Sequence, residues 1–121
     1  MMRTIKQNAD IKRGDIFMAS LPDDTEGSLQ SGTRPVVIVS NDMANRHSPV
    51  VTILPITSRM SKKKLPTHVP VEDCGLEKRS LVLAEQIMSI NRKDLLKKMG
   101  SVTNTVYERR VKRAMEIQLS L

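Results

Sequence analysis

Gly27-Ser-Leu-Gln-Ser-Gly-Thr-Arg-Pro-Val-Val-Ile-Val39 is the stretch from which the fold can be inferred. A polar loop runs directly into a row of β-branched residues, and after Asn41-Asp42 the chain returns through a second such row, residues 50 to 57. Runs of this kind, bounded by turn residues, are typical of strands. The pattern predicts a buried hairpin whose first strand begins at Arg34-Pro35, because proline is tolerated at the start of a strand.

Arg34, at the mouth of this hairpin, and Thr57, at the end of its second strand, are the candidate reacting groups. Arginine binds phosphate oxygens bidentately and keeps its charge, and a threonine hydroxyl can donate to a nonbridging oxygen. RNA carries its own nucleophile, the 2′-hydroxyl, so a protein that cleaves it needs only to move protons and stabilise charge. The alternative is that Arg34 forms a surface salt bridge and Thr57 merely ends a strand.

Short apolar runs elsewhere predict further strands at residues 16–21, 67–71 and 80–87. Asn91 resembles a helix N-cap and Gly100 a helix stop, which predicts a short helix between them. Thr105 and Glu108 begin a second, amphipathic helix that we expect to lie on the sheet. The expected fold is mainly β, a strongly bent antiparallel sheet or partly closed barrel of five or more short strands with one C-terminal helix.

The length of 121 residues suits a single domain. Residues 1–11 show no period and are expected to form a flexible arm, and residues 12–121 the domain. The net charge of +7 favours a polyanionic partner such as nucleic acid, although a merely solvated basic surface would have the same charge. Only 2% of the residues are aromatic, so base stacking on rings is largely unavailable.

A lone cysteine, Cys74, and two histidines make a poor ligand set for zinc, so neither a metal nor another cofactor is expected. No apolar run follows Met1 that would predict a signal peptide, and no run is long enough to predict a membrane span. We therefore expect a cytoplasmic protein. The basic, polar segment Ser58–Lys64 is expected to be a solvated loop.

The general base is less evident than the phosphate ligands. His47 and His68 are both candidates, since histidine titrates near neutrality, but neither has a partner visible in the sequence. Glu85 and Gln86 could read a base edge or simply satisfy the edge of a sheet. The loop from Pro22 to Thr33 is long for a hairpin connection, and long loops in compact domains are often functional.

Several blocks of this sequence resemble the MazF/PemK toxins of bacterial toxin-antitoxin modules, in particular their Gram-positive type. They cover residues 12 to about 119 in the family's order. The blocks are Lys12-Arg-Gly-Asp-Ile16, Gly27-Ser28, Gln30, Gly32, Arg34-Pro-Val36, Ser40-Asn-Asp42, Ile56-Thr57, Lys64-Leu-Pro-Thr-His-Val69 and Glu85-Gln-Ile87.

The resemblance implies an SH3-like barrel with a C-terminal helix, a homodimer, and a ribosome-independent endoribonuclease that cuts single-stranded RNA at a short sequence. It implies metal-independent cleavage to a 2′,3′-cyclic phosphate and a 5′-hydroxyl, and inhibition by a MazE-like antitoxin. Arg34 and Thr57 match the catalytic residues of the family. The expected RNA-binding surface consists of Ser28, Gln30, Thr33, Pro35, Glu85 and Gln86.

One departure from the family pattern concerns the proton acceptor. The family loop usually reads Gly-Ser-Glu-Gln, and Leu29 stands here in place of the glutamate. This departure motivates an alternative, a MazF-like protein that binds nucleic acid or antitoxin without cleaving RNA. A third possibility is a gyrase inhibitor, since the CcdB toxins share the fold.

Overall fold

The computed structural model describes residues 11–60 and 65–121. Its elements, in chain order, are β1 (Asp15–Leu21), β2 (Gly32–Ile38), α1 (Asp42–His47), β3 (Val50–Thr57), β4 (His68–Val71), β5 (Ser80–Leu83), β6 (Met88–Asn91), β7 (Leu95–Ser101) and α2 (Val106–Leu119).

The seven strands form one antiparallel sheet in the order β4-β5-β3-β2-β1-β7, with β6 paired to β3 beside this path. β3 is the central strand: its first half pairs with β6 and its last two residues pair with β5, while β2 lies on its other side. The described strands do not close into a complete ring. The expected class, mainly β with a small barrel-like sheet and a C-terminal helix, is confirmed.

Both faces of the sheet are buried, which explains why the central strands read as nearly continuous apolar runs. Val37, Leu54 and Ile56 belong to a core on the face that α2 covers. Val36 and Ile53 belong to a second core on the other face, around the buried ring of Phe17. Neighbouring residues of a strand point to opposite faces, so one Val-Val pair can serve both cores.

The sequence predicted the C-terminal helix α2 correctly, including its N-cap residue, Thr105. The Thr105 hydroxyl caps it by accepting a hydrogen bond from the Tyr107 N–H at 3.1 Å. Val111 and Ala114 are buried in the core that contains Val37. In the part of the chain that the structure describes, no helix is long and apolar enough to cross a membrane.

The polar connection between the hairpin strands contains the short helix α1. The side chain of Asn41 accepts a hydrogen bond from the Ala44 N–H at 2.8 Å, as an N-cap does. Asn45, fully buried, donates to the carbonyl oxygen of Ser40 at 2.8 Å. Six residues are too few for a helical period to be visible in the sequence.

Two predictions for residues 80–100 were wrong. The fifth strand ends at Leu83, and a 3₁₀ turn at Ala84–Gln86 separates it from β6. The segment expected to be helical forms one 3₁₀ turn, Arg92–Asp94, and then the strand β7. β7 pairs with β1, so tertiary pairing outweighs the local helix signals there.

Gly100 has a different role from the predicted helix stop. A Cβ atom on Gly100 would lie 2.0 Å from the carbonyl oxygen of Cys74, and one on Gly75 would lie 2.0 Å from that of Met99. The two glycines let the backbones of β7 and of the turn before β5 approach closely.

Residues 1–10 of the expected arm and residues 61–64 of the expected basic loop lie outside the described residues. Ile11, which the sequence placed in the arm, is buried in the core around Phe17.

Candidate active site

Arg34 lies in β2, opposite Ala19 of β1, and its side chain is half-buried. Its Nε donates a hydrogen bond to the carbonyl oxygen of Ser31 at 3.1 Å. This bond holds the guanidinium beside the end of the polar loop that precedes β2. Among the described residues no carboxylate forms an ion pair with Arg34, so its charge is available to an anionic ligand.

Thr57 is the last residue of β3 and is only 7% exposed. Its Oγ1 accepts a hydrogen bond from the Arg59 N–H at 3.1 Å. A hydroxyl that accepts through a lone pair still has its own hydrogen to donate. Thr57 is therefore a fixed donor at the end of the central strand.

The hairpin register relates these two residues. Val36 pairs with Pro55 and Val37 with Leu54, and the same register continued by two residues puts Arg34 opposite Thr57. The expected hairpin thus places its two candidate reacting groups on adjacent strands.

A cavity of about 250 Å³ opens at this point of the sheet. Arg34 and the predicted RNA contacts Thr33 and Pro35 line it, as do both neighbours of Thr57, Ile56 and Ser58. The segment that leads into β5 also lines the cavity, with Leu76, Glu77, Lys78 and Ser80, the first residue of that strand. Among the described residues that line the cavity, Glu77 is the only carboxylate.

The loop between β1 and β2, residues 22–31, is fastened to the sheet by Gln86. The Gln30 N–H donates to Oε1 of Gln86 at 2.8 Å, and Nε2 of Gln86 donates to the carbonyl oxygen of Ser28 at 3.4 Å. Gln86 ends the 3₁₀ turn after β5. Three residues of the predicted RNA surface, Ser28, Gln30 and Gln86, are therefore in contact.

The same loop is organised internally by Asp24. Its carboxylate accepts hydrogen bonds from the Leu29 N–H at 2.5 Å and from the Glu26 N–H at 3.2 Å. These backbone donors, that of Leu29 above all, lower the pKa of Asp24 below its ordinary value, because they stabilise the charged carboxylate. Leu29 itself is 52% exposed.

The side chain of Glu85, next to Gln86, contacts the first residue of β4 and the residue before it. Its Oε1 accepts from the Thr67 hydroxyl at 3.0 Å, and its Oε2 lies 2.8 Å from Nε2 of His68. The sequence showed no partner for His68, because these residues meet only through the pairing of β4 with β5. Both oxygens of Glu85 thus already have partners, and its expected contact with RNA stays a prediction.

His47, the other candidate base, is exposed in the last turn of α1 and does not line the cavity beside Arg34. In the described part of the chain, the charged groups that line this cavity are two cations, Arg34 and Lys78, and one carboxylate, Glu77, and the end of the strand that carries the Thr57 hydroxyl adjoins it. Together they could bind a phosphodiester, stabilise added negative charge and accept a proton.

Comparisons with known proteins identify the family and the fold of this chain. Residues 12–119 match the family described as "PemK-like, MazF-like toxin of type II toxin-antitoxin system". Similar solved structures include the Mycobacterium tuberculosis toxin MazF-mt6, 27% identical, with a TM-score of 0.73 over 88% of this chain and 97% of that chain. A mycobacterial endoribonuclease in complex with its cognate antitoxin is 26% identical, with a TM-score of 0.74 over 92% and 96%. MazF from Deinococcus radiodurans, 20% identical, shares the fold, with a TM-score of 0.70 over 91% and 96%.

Proposed function

The chain belongs to the PemK-like, MazF-like family of type II toxins, and on that premise we propose that it is the toxin of a toxin-antitoxin module and an endoribonuclease that cleaves single-stranded RNA at a short sequence. The family match extends over nearly all of the domain. The observation that carries the proposal is the cavity shared by Arg34 and the two neighbours of Thr57.

In the proposed reaction the 2′-hydroxyl oxygen of the RNA attacks the adjacent phosphorus. The O2′–P bond forms and the P–O5′ bond breaks, which produces a 2′,3′-cyclic phosphate and a 5′-hydroxyl. The proton of the 2′-hydroxyl passes to a base, and the leaving O5′ gains a proton. Arg34 stabilises the negative charge on the phosphorane oxygens, and Thr57 donates to one of them.

For the proton acceptor we propose Glu77. The family's loop glutamate is Leu29 here, an exposed residue that cannot accept a proton. Glu77 lines the same cavity as Arg34. A carboxylate in that place could receive the 2′-hydroxyl proton while Arg34 holds the phosphate.

We further propose that cleavage needs no metal ion. The guanidinium of Arg34 has no carboxylate partner among the described residues and can supply the positive charge that a divalent cation supplies in other nucleases. No step of the proposed reaction requires a metal-activated water, because the nucleophile belongs to the substrate.

The expected protein partners are a MazE-like antitoxin and a second copy of this chain. The mycobacterial relative is seen with its cognate antitoxin. A net charge of +7 favours an acidic antitoxin segment that would compete with RNA.

Sequencing the 5′ ends of RNA incubated with the purified protein tests the function directly. We expect a short common sequence at the cuts, 5′-hydroxyl ends, full activity in EDTA, and no cutting where the nucleotide before the scissile bond is 2′-deoxy. RNA that stays intact at micromolar protein would favour the non-cleaving alternative. Activity that is lost in EDTA and restored by Mg²⁺ would contradict metal independence.

A further inference from the structure

A second concave site lies between the C-terminal end of α1 and the turn after β6. It has a volume of about 380 Å³. Four of its seven lining residues carry basic side chains, and none carries a carboxylate: Arg46, His47, Ser48, Pro49, Asn91, Arg92 and Lys93. We call this set the basic pocket. It shares no lining residue with the cavity beside Arg34.

Arg92 is held in place at this pocket by backbone carbonyl groups. Its Nε donates to the carbonyl oxygen of Ser48 at 3.3 Å, and an Nη group donates to that of Asn45. Its own N–H donates to the carbonyl oxygen of Pro49 at 2.9 Å. Arg92 therefore ties the end of α1 to the turn after β6, and its half-buried guanidinium is fixed before any ligand arrives.

The positive charge of the pocket is not neutralised by the protein. In residues 11–60 and 65–121 no carboxylate forms an ion pair with Arg46, Arg92 or Lys93. The carbonyl groups bound to Arg92 are dipoles, and even a full helix terminus offsets only about half a charge. A half-buried cation without a counter-ion is costly, and an anion in the pocket would reduce that cost.

We propose that the basic pocket binds a phosphate group of an RNA strand several nucleotides away from the bond that is cut. The inference rests on the proposed function only in naming RNA as the source of the phosphate. That the pocket binds an anion does not depend on that function. Arg92 would be the fixed hydrogen-bond donor to the phosphate. The exposed side chains of Arg46 and Lys93 would close over the phosphate as it binds. Arginine and lysine together suit a phosphate better than a planar carboxylate, because they can surround its tetrahedral oxygens.

The position of the pocket separates it from the reacting groups. It adjoins Val50, at the first residue of β3, and Thr57 is the last residue of the same strand. At about 3.3 Å per residue, the two ends of this extended strand are roughly 20 Å apart. A single nucleotide does not span that distance, so a phosphate in the pocket would belong to a nucleotide several positions from the cut.

The double variant Arg46→Gln/Lys93→Gln tests this site, because both residues are exposed and their substitution should cost little stability. Arg110→Gln/Arg113→Gln, on the exposed face of α2, removes the same charge elsewhere and is the matched control. In a ¹H–¹⁵N NMR titration of the full chain with inorganic phosphate, we expect shifts at the backbone amides of residues 46–48 and 91–93. The shifts should be lost in the first variant and kept in the second.

Binding to RNA is then compared for two lengths of a 2′-deoxy-substituted, uncleavable oligonucleotide. One covers only the cleavage sequence, and the other extends by about ten nucleotides on both sides. The Arg46→Gln/Lys93→Gln variant should bind the long oligonucleotide more weakly than the wild type does, and the short one equally well. For the long oligonucleotide, the slope of log K against log salt concentration should become shallower by about 0.7 per lost phosphate contact. Equal effects of the two variants, or no phosphate shifts at the pocket, would overturn the proposal. So would shifts caused by an acidic peptide and not by phosphate.

The titration with phosphate requires no cleavage, so failure of the proposed function and failure of the pocket can be told apart. A protein that binds phosphate at residues 46–48 and 91–93 but cuts no RNA would contradict the function and leave the anion site standing.

Discussion

The side-chain amide of Gln86 bridges the polar loop before β2: its Oε1 accepts a hydrogen bond from the Gln30 N–H at 2.8 Å, although the two residues are 56 positions apart in the chain. The same amide donates to the carbonyl oxygen of Ser28. One residue of the turn after β5 thus holds the loop whose end, Ser31, accepts a hydrogen bond from Arg34.

Gln86→Leu should loosen this loop without unfolding the protein. We expect faster hydrogen exchange at residues 28–30 in the free protein and a fall in kcat/KM of roughly tenfold to 100-fold, because misplaced binding groups lower the rate steeply. Gln118→Leu, at an exposed position of α2, is the control. If exchange at residues 28–30 is unchanged, Gln86 does not fasten the loop, whatever its effect on RNA binding.

Arg34→Ala should reduce the cleavage rate by about 10³-fold, since it removes the cation that stabilises the phosphorane. Thr57→Val should reduce it by about 10²-fold, and Thr57→Ser should restore most of the rate because it keeps the hydroxyl. Single-turnover kinetics measure these effects, with circular dichroism as the check on folding. A wild-type rate in Arg34→Ala would refute the proposed mechanism.

Glu77→Gln should slow cleavage in single-turnover kinetics, because an amide cannot accept the proton of the 2′-hydroxyl. Its neighbour Lys78 lines the same cavity, so Lys78→Met shows the effect of altering the wall without removing a base. A wild-type rate in Glu77→Gln would mean that another group accepts the proton.

Protonation of Asp24 should release the turn it holds. Because its pKa is lowered in the folded chain, its contribution is complete above the unfolded value of about 3.9 and is lost as the pH falls through the folded value. In an NMR titration the amides of Glu26 and Leu29 should therefore shift only at acidic pH. Asp24→Asn should abolish that transition, and Asp23→Asn should leave it intact.

Gly100→Ala should destabilise the protein by at least about 3 kcal/mol, since the added methyl group would overlap the carbonyl oxygen of Cys74. Gly27→Ala is the comparison: Gly27 also has a positive φ, +78°, but no atom lies within 4 Å of the added carbon. Its cost should be about 1 kcal/mol. Similar urea midpoints for the two variants would contradict the close approach at Gly100.

The sequence by itself determined the hairpin and the C-terminal helix. β3 was predicted with its observed bounds, because its largely apolar run is bounded by Pro49 before it and Ser58 after it. The capping threonine and helical spacing likewise placed α2. These signals are local, since strand propensity, proline placement and helix capping act within a few residues. The placement of Arg34 and Thr57 on adjacent strands followed from the same hairpin.

Only the tertiary structure decided the rest. Residues 95–101 form a strand because β1 offers them a pairing partner, and no local signal reveals that partner. Glu85 meets Thr67 and His68, and Gln86 meets Gln30, through strand pairings between distant parts of the chain. Glu77 could not be identified from the sequence for the same reason: the packing of the whole sheet brings it to the cavity that Arg34 lines, and a single carboxylate among polar residues forms no pattern.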